Sequence, residues 1–325
     1  MIQATPNVSL TAVVDPDPDA LQAAGVTPGY ASLDEALAGV ECEAVLVSSP
    51  PGTHHAGAKA ALEAGKHVLC EKPLATCLVD ALDLVEASRR ENRFVLVSQN
   101  YRYNAPFRAV QRAISEREIG DLISVKIDFR RDTRKLFAAD DFRYSMRHPL
   151  VLDMAIHHFD LLRAATGRDV RHVHARGWRA PDSPFAHHPE VAAVLDLDGG
   201  VPVVYRATWT ARGPETSWNG EWEMVGEEGR LLWAGDLEDR NVGRVTVERW
   251  DDPVRVLDQP ALQFTERAAT LRALRAAVET DEEPETSASD NVYSLAVVLG
   301  CARSIESGET VDIPRLMDEA RNGKV

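Results

Sequence analysis

The sequence predicts an α/β protein of two domains: a parallel sheet covered by helices on both faces, then an α+β domain on a large, mostly antiparallel open sheet. Three observations carry this. Up to about residue 100, short Val/Leu-rich runs alternate with amphipathic helical patterns, as strands buried on both faces require. From residue 122 onward the strand-like runs alternate apolar with charged residues and pair across glycine turns, the pattern of a half-exposed antiparallel sheet. A length of 325 residues suffices for two cores.

The elements follow in order. "VSLTAVV" (8–14) reads as a strand ending on Asp15, and "SLDEALAG" (32–39) as a short helix capped by Ser32. "AVLVSSP" (44–50) is a strand running into a turn, and "HHAGAKAALEAG" (54–65) a helix stopped by Gly65. "HVLCEKP" (67–73) is a strand, "VDALDLVEASRREN" (79–92) a helix, and "FVLVSQN" (94–100) the next strand. A helical stretch, "PFRAVQRAISEREIG" (106–120), precedes the strand "LISVKIDFR" (122–130). "VAAVLDLDGGVPVVYRATW" (191–209) is a hairpin turning at 198–200, and "EWEMVGEEGRLLW" (221–233) repeats the plan around Gly226–Gly229. The acidic, Ser-rich "ETDEEPETSASD" (279–290) is a loop between two helical patterns. A single boundary near 101–106 is expected, giving domains 1–103 and 104–325.

Charge and composition exclude several partners. Lys plus Arg number 36 against 51 for Asp plus Glu, and the net charge of −15 disfavours nucleic acid and anionic membranes. No apolar stretch approaches the roughly 18 residues needed to cross a bilayer, and the N-terminus has no signal-peptide layout. Four cysteines without CxxC or metal-type spacing indicate a reduced, cytoplasmic protein with no metal site.

Three stretches carry chemistry. "CEKPLA" (70–75) sets Glu71 and Lys72 where a parallel strand ends, the position at which open α/β sheets bind ligands. A lysine there can hydrogen-bond a substrate hydroxyl; a solvated surface turn is the bland alternative. In "LDMAIHHFDLL" (152–162), Asp153, His157 and Asp160 fall on one helix face, so a carboxylate one turn away can orient an imidazole that takes a proton. A capped core helix with a satisfied histidine is the alternative, and His158, about 100° away, reads as structural. "SSPPGTHH" (48–55) is a strand-to-helix turn able to cradle a cofactor through Ser49, Pro50 and His54, or simply to turn the chain.

Taken together and in order, "LTAVVD", "AVLVSSPPGTHH", "AGKHVLCEKPLA", "QNYRYNAPF", "LDMAIHHFDLLRAATG" and "SDNVYSLAVVLGCARSIESGETVDI" resemble the Gfo/Idh/MocA family, the glucose–fructose oxidoreductase and inositol dehydrogenase group. The resemblance implies a Rossmann domain for NAD(P), joined to a domain supplying substrate pocket and oligomer face. It implies that Lys72 binds the nicotinamide region and the substrate hydroxyl, that His157 is the general base, and that Asp153 positions substrate and imidazole. Asp15 matches the acid that grips the adenosine ribose, which favours NAD over NADP. Ser49, Pro50, His54 and Glu71 would line the cofactor, and Arg102 and Tyr103 the substrate pocket. A sugar, sugar acid or cyclitol would lose a proton to His157 and a hydride to nicotinamide, in a homodimer or homotetramer built through the C-terminal sheet.

The chain departs from the family pattern at its front. The acid should follow a glycine-rich turn by about 20 residues, yet "MIQATPN" corresponds to the tail of the helix after that turn. A start codon placed too late, or a truncation with weakened cofactor binding, is expected, with two inner sheet edges left unpaired. Two other activities fit the same motifs: a carbohydrate-binding or regulatory homologue without redox turnover, and NAD-assisted elimination or glycoside cleavage.

Overall fold

The structure, a computed structural model, describes residue 2 and residues 5–324. Met1, Gln3 and Ala4, at the front of the expected helix tail, lie outside the described residues, and residues 5–7 run as a bend and turn. The chain forms two units, Met1–Asn100 with Glu266–Val292, and Tyr101–Thr265 with Tyr293–Val325. The single boundary expected near residue 103 is therefore corrected: a late segment returns to the first unit.

In the first unit, β1 (Val13–Val14) pairs in parallel with β2 (Gly29–Tyr30). Between them runs α1 (Pro18–Ala24), capped by the Asp17 side chain and begun with a proline whose missing N–H costs nothing there. Ser32 caps α2 (Leu33–Gly39) by accepting the Glu35 N–H at 3.3 Å. A second parallel sheet orders β3 (Ala44–Val47), β4 (His67–Cys70) and β5 (Val95–Val97). Its crossovers are α3 (His54–Glu63) and α4 (Leu78–Glu91), the latter closed by Asn92 in the left-handed region. Among the described residues no strand pairs the second edge of β1 or of β3.

The helix Glu266–Thr280 covers this sheet. Its Leu271 and Leu274 are buried in one cluster with Leu69 of β4 and Leu96 of β5. The following loop adds a strand-like contact, the Val97 N–H donating to Thr286 O at 2.8 Å. A helical period shows which face is apolar but not which sheet covers it, so this return was illegible from local pattern.

The second unit is built on one sheet. Its strands are β6 (Leu122–Arg130), β7 (Val170–Trp178), β8 (Glu190–Leu197), β9 (Pro202–Thr208), β10 (Glu221–Gly226), β11 (Gly229–Gly235), β12 (Gly243–Arg249), β13 (Arg255–Val256) and β14 (Val311–Asp312). Among the described residues the order is β13-β12-β11-β10-β6-β9-β8-β7-β14, and only the β6–β9 pair is parallel. Period-two alternation sets the register: Val125, Ile127 and Phe129 of β6 are buried, as are Val203, Tyr205 and Ala207 of β9. At Gly226 a Cβ would stand 2.2 Å from the Ile119 carbonyl oxygen, so only glycine fits where β10 ends.

The helix α5 (Ala105–Ser115), capped by Asn104, buries Phe107 with its ring 6.2 Å from that of Trp233. The helix α6 (Ile156–Thr166) ends at Gly167, whose φ is 63°. Ahead of it, Leu150–Ala155 is π-helical rather than the regular α-helix expected over 152–162. One extra residue in a turn leaves the apolar pattern almost unchanged, so the sequence does not reveal it.

His158 anchors α6 to the sheet. It is fully buried, with Nδ1 2.9 Å from the Tyr205 hydroxyl and Nε2 3.0 Å from the Trp218 carbonyl oxygen. The neutral ring satisfies both, donating to Trp218 and accepting from Tyr205. Burial pushes its pKa down to about 4. Because the folded value lies below the unfolded one, this stability is complete above pH 6.5 and is lost as pH falls toward 4. About 2.5 kcal/mol should disappear by about pH 4.5. Urea unfolding at stepped pH should show a steep acid limb that His158→Gln flattens; an unchanged limb would contradict this role.

Candidate active site

The first unit gathers polar groups at the carboxyl ends of its strands. Asp15 follows β1, and its Oδ1 accepts the Asp17 N–H at 2.9 Å, which fixes the carboxylate at the strand end. Beyond β3, Ser49 and Pro50 are exposed, and the Thr53 hydroxyl donates to the Ser49 hydroxyl at 2.7 Å. A Cβ on Gly52 would meet open space, so this turn presents bare backbone. Lys72 is half-buried just beyond β4. The neighbouring Glu71 is braced: its N–H donates to Val47 O at 2.8 Å, and its Oε1 accepts from Ser98 at 3.3 Å and Arg267 at 3.1 Å.

His54 is corrected from a cofactor contact to a brace. Its ring is 1 % exposed, with Nδ1 2.7 Å from Pro73 O and Nε2 2.8 Å from Ser49 O. A neutral imidazole has one N–H and makes one of these bonds; an imidazolium makes both. The ring is packed between the turn after β3 and the turn that carries Lys72. These residues fit the ribose and nicotinamide portions of a dinucleotide, with a carboxylate for ribose hydroxyls and a lysine at a neighbouring strand end. A glycine-rich turn that opens a helix and cradles pyrophosphate is not among the described residues.

The second unit holds the expected carboxylate and imidazole. Asp153 lies in the π-helical turn and His157 in the first turn of α6, so the carboxylate and imidazole occupy consecutive turns. Asp153 is clamped from the loop before it: Arg143 Nε donates to its Oδ2 at 2.7 Å. Arg143 also pairs with Asp141 at 3.2 Å and stands 4.9 and 4.5 Å from the ring centres of Phe137 and Phe142. Burial alone would lower the Arg143 pKa, but Asp153 and Asp141 outweigh it and raise the value, so the clamp stays cationic.

His157 is 5 % exposed and stacks on Tyr101 with ring centres 4.1 Å apart and planes 7° apart. The Arg240 guanidinium lies 4.6 Å from the centre of the same tyrosine ring, and its Nη1 donates to the Tyr101 hydroxyl at 3.1 Å.

Two expected members, Arg102 and Asp160, engage each other in the core. Arg102 is corrected from a pocket residue to a buried strut: it grips Asp160 bidentately, Nε to Oδ2 and Nη2 to Oδ1, both 2.7 Å. Asp160 is thus held in the core, 1 % exposed, where Ser294 also donates to it at 3.0 Å. Tyr103 lies under the Arg108 guanidinium, 5.2 Å from its ring centre. Sequence reasoning named the two residues after Tyr101 and missed Tyr101 itself. It also missed Arg143 and Arg240, which stand in loops with no periodicity to read.

The second unit thus holds a carboxylate clamped by Arg143 and an imidazole stacked on Tyr101, and the first unit a lysine just beyond a parallel strand. Comparison with known proteins decides the family. Residues 1–99 match the model described as the oxidoreductase family, NAD-binding Rossmann fold, and residues 107–232 match the GFO/IDH/MocA C-terminal domain. The chain belongs to the Gfo/Idh/MocA family. It is similar to 1,5-anhydro-D-fructose reductase of Ensifer adhaerens, 26% identical over 295 residues, covering 89% of this chain and 85% of that protein. Myo-inositol 2-dehydrogenase of Thermotoga maritima is 26% identical over 302 residues, covering 90% of this chain and 86% of that one.

A solved Agrobacterium radiobacter oxidoreductase, in complex with NAD+, L-tartaric acid and magnesium, superposes with a TM-score of 0.85 at 20% identity over 97% of this chain and 94% of its own. At that identity the likeness speaks to the fold, which is the Gfo/Idh/MocA arrangement of a Rossmann-like domain and a large, mostly antiparallel sheet. No helix among the described residues is long and apolar enough to cross a membrane.

Proposed function

We propose that this oxidoreductase oxidises a hydroxyl of a sugar, sugar acid or cyclitol with NAD as hydride acceptor. The observation that carries the reading is His157, buried, held flat against Tyr101, and one turn from a carboxylate clamped by Arg143. The named sugar and inositol relatives support the substrate class. NAD, when bound, supplies the hydride acceptor. His157 takes the proton of the reacting hydroxyl at a ring nitrogen, Asp153 orients substrate and imidazole, and Lys72 hydrogen-bonds that hydroxyl. Asp15 receives the ribose hydroxyls, while Ser49, Pro50 and Glu71 shape the cofactor side. The test is NADH formation across sugars, sugar acids and cyclitols; no turnover with any of them would sink the proposal.

The preference for NAD has its own test. Asp15→Ser should raise the KM for NAD about tenfold or more, as the loss of charged hydrogen bonds entails, and narrow the preference over NADP. The ratio of kcat/KM for the two cofactors reads this directly, and an unchanged ratio would remove Asp15 from the site.

A homodimer or homotetramer is proposed through the open face of the second unit's sheet. Val194 and Val204 face each other across β8 and β9, 50% and 51% exposed, with Trp178 of β7 41% exposed on the same sheet. Sedimentation of a Val194→Lys, Val204→Glu variant as the same oligomer as the parent would contradict that face.

A further inference from the structure

We propose that Arg240 and Tyr101 form a positioning device for the general base, fixing the plane of the His157 imidazole. This rests on the reading of His157 as the base.

A histidine ring is poorly fixed by its own rotamer. Its last torsion joins a tetrahedral carbon to a planar ring and has a broad, roughly two-fold profile, so the ring turns easily about the bond that carries it. Proton transfer depends on that angle, because a ring nitrogen accepts a proton only along its in-plane lone pair. Stacking at 4.1 Å and 7° on Tyr101 removes the freedom, since any rotation drives imidazole atoms into the phenol.

Tyr101 is in turn held at two points. The Arg240 guanidinium lies over the ring at 4.6 Å, and its Nη1 donates to the ring's hydroxyl at 3.1 Å. Tyr101 is 5% exposed and stands in a short 3-10 segment, Asn100–Tyr103, rather than on a regular element that would fix it.

Arg240 itself is presented by a built turn. In the loop between β11 and β12, Asp236 Oδ1 accepts the N–H groups of Glu238 and Asp239 at 2.8 and 3.0 Å. Asp239 Oδ1 accepts the Asn241 N–H at 2.8 Å, and the Asp236 N–H donates to Val242 O at 2.9 Å. The fully buried Asn219 donates from Nδ2 to the Arg240 carbonyl at 3.1 Å, pinning the backbone of the residue that does the gripping. Two Asx turns and a buried amide hold a loop whose one inward-reaching cation acts on the ring under the base.

The roles separate by kinetics. Tyr101→Leu removes the flat support and should lower kcat about 10–100-fold, the scale of a misplaced reacting group, with KM for the sugar changed less than threefold. Tyr101→Phe keeps the stack and loses the hydroxyl anchor, and should rescue most of kcat with a residual loss of about threefold. Arg240→Met should lower kcat about 3–10-fold in the parent and have no further effect in the Tyr101→Leu background, because its influence passes through that ring.

Thermal unfolding of each variant separates a folding defect from a positioning one. Equal losses in Tyr101→Phe and Tyr101→Leu, or an additive Arg240→Met effect in the Tyr101→Leu background, would overturn the inference. His157→Asn keeps the two readings apart. If it turns over normally, the base assignment fails; if it is inactive while Tyr101→Leu keeps the parent kcat, only the positioning device fails.

Discussion

His157→Asn should leave the fold intact and lower kcat by about 10²–10⁴, the contribution of one positioned acid–base group. Asparagine fills much of the imidazole's space and can lie against Tyr101, but it cannot accept a proton near neutral pH. The KM for the sugar should change far less than kcat, because the lost interaction belongs to the transition state. Unfolding measured alongside should show a midpoint close to the parent's. A variant that keeps parent turnover would place the base elsewhere, with Asp153 the next carboxylate to examine.

The second large effect is on stability. Arg102 and Asp160 are 5% and 1% exposed at their side chains and share two hydrogen bonds of 2.7 Å. Ser294 Oγ donates to Asp160 and accepts from Arg163 Nη1 at 2.9 Å, extending the polar network through the core of the second unit. Arg102→Met leaves a buried carboxylate without its bidentate partner and should cost about 3–5 kcal/mol. Replacing both, Arg102→Met with Asp160→Leu, should recover at least half, since a well-packed apolar pair avoids desolvating two charges. Denaturant midpoints measure this. If Arg102→Met kept the parent midpoint but raised the substrate KM, Arg102 would be a pocket residue after all.

The legible parts of the molecule are those specified by neighbours in sequence. Ser32 as a cap, Gly65 as a stop, and the hairpin whose Gly199 and Gly200 sit at φ of 83° and 78° follow from chemistry within a few residues. The alternation in β6 declares a buried and an open face at once. Less was legible where contacts are distant. The apolar stripe of Glu266–Thr280 fits any sheet, and only the folded chain shows it over Leu69 and Leu96.

The site shows the same division. Helical spacing sets Asp153, His157 and Asp160 on one face of a regular helix; in the fold Asp153 lies in the π-helical turn, His157 in the first turn of α6, and Arg102 holds the Asp160 carboxylate in the core, a contact that spacing cannot register. Spacing cannot choose among Tyr101, Arg102 and Tyr103 in a 3-10 segment, where adjacent side chains diverge by about 120°. Arg143 and Arg240 come from loops whose conformations are set by Asx turns and aromatic packing, and nothing periodic announces them.

Hydride transfer to nicotinamide is the central claim, and isotope transfer tests it most directly. The best substrate found among the sugars and cyclitols would carry deuterium on the carbon that bears the reacting hydroxyl. The protein should then produce deuterated NADH in equal amount to the ketone, and His157→Asn should produce almost none. Consumption of the sugar with deuterium appearing in water or lost from the product, and none in NADH, would contradict the account and favour elimination.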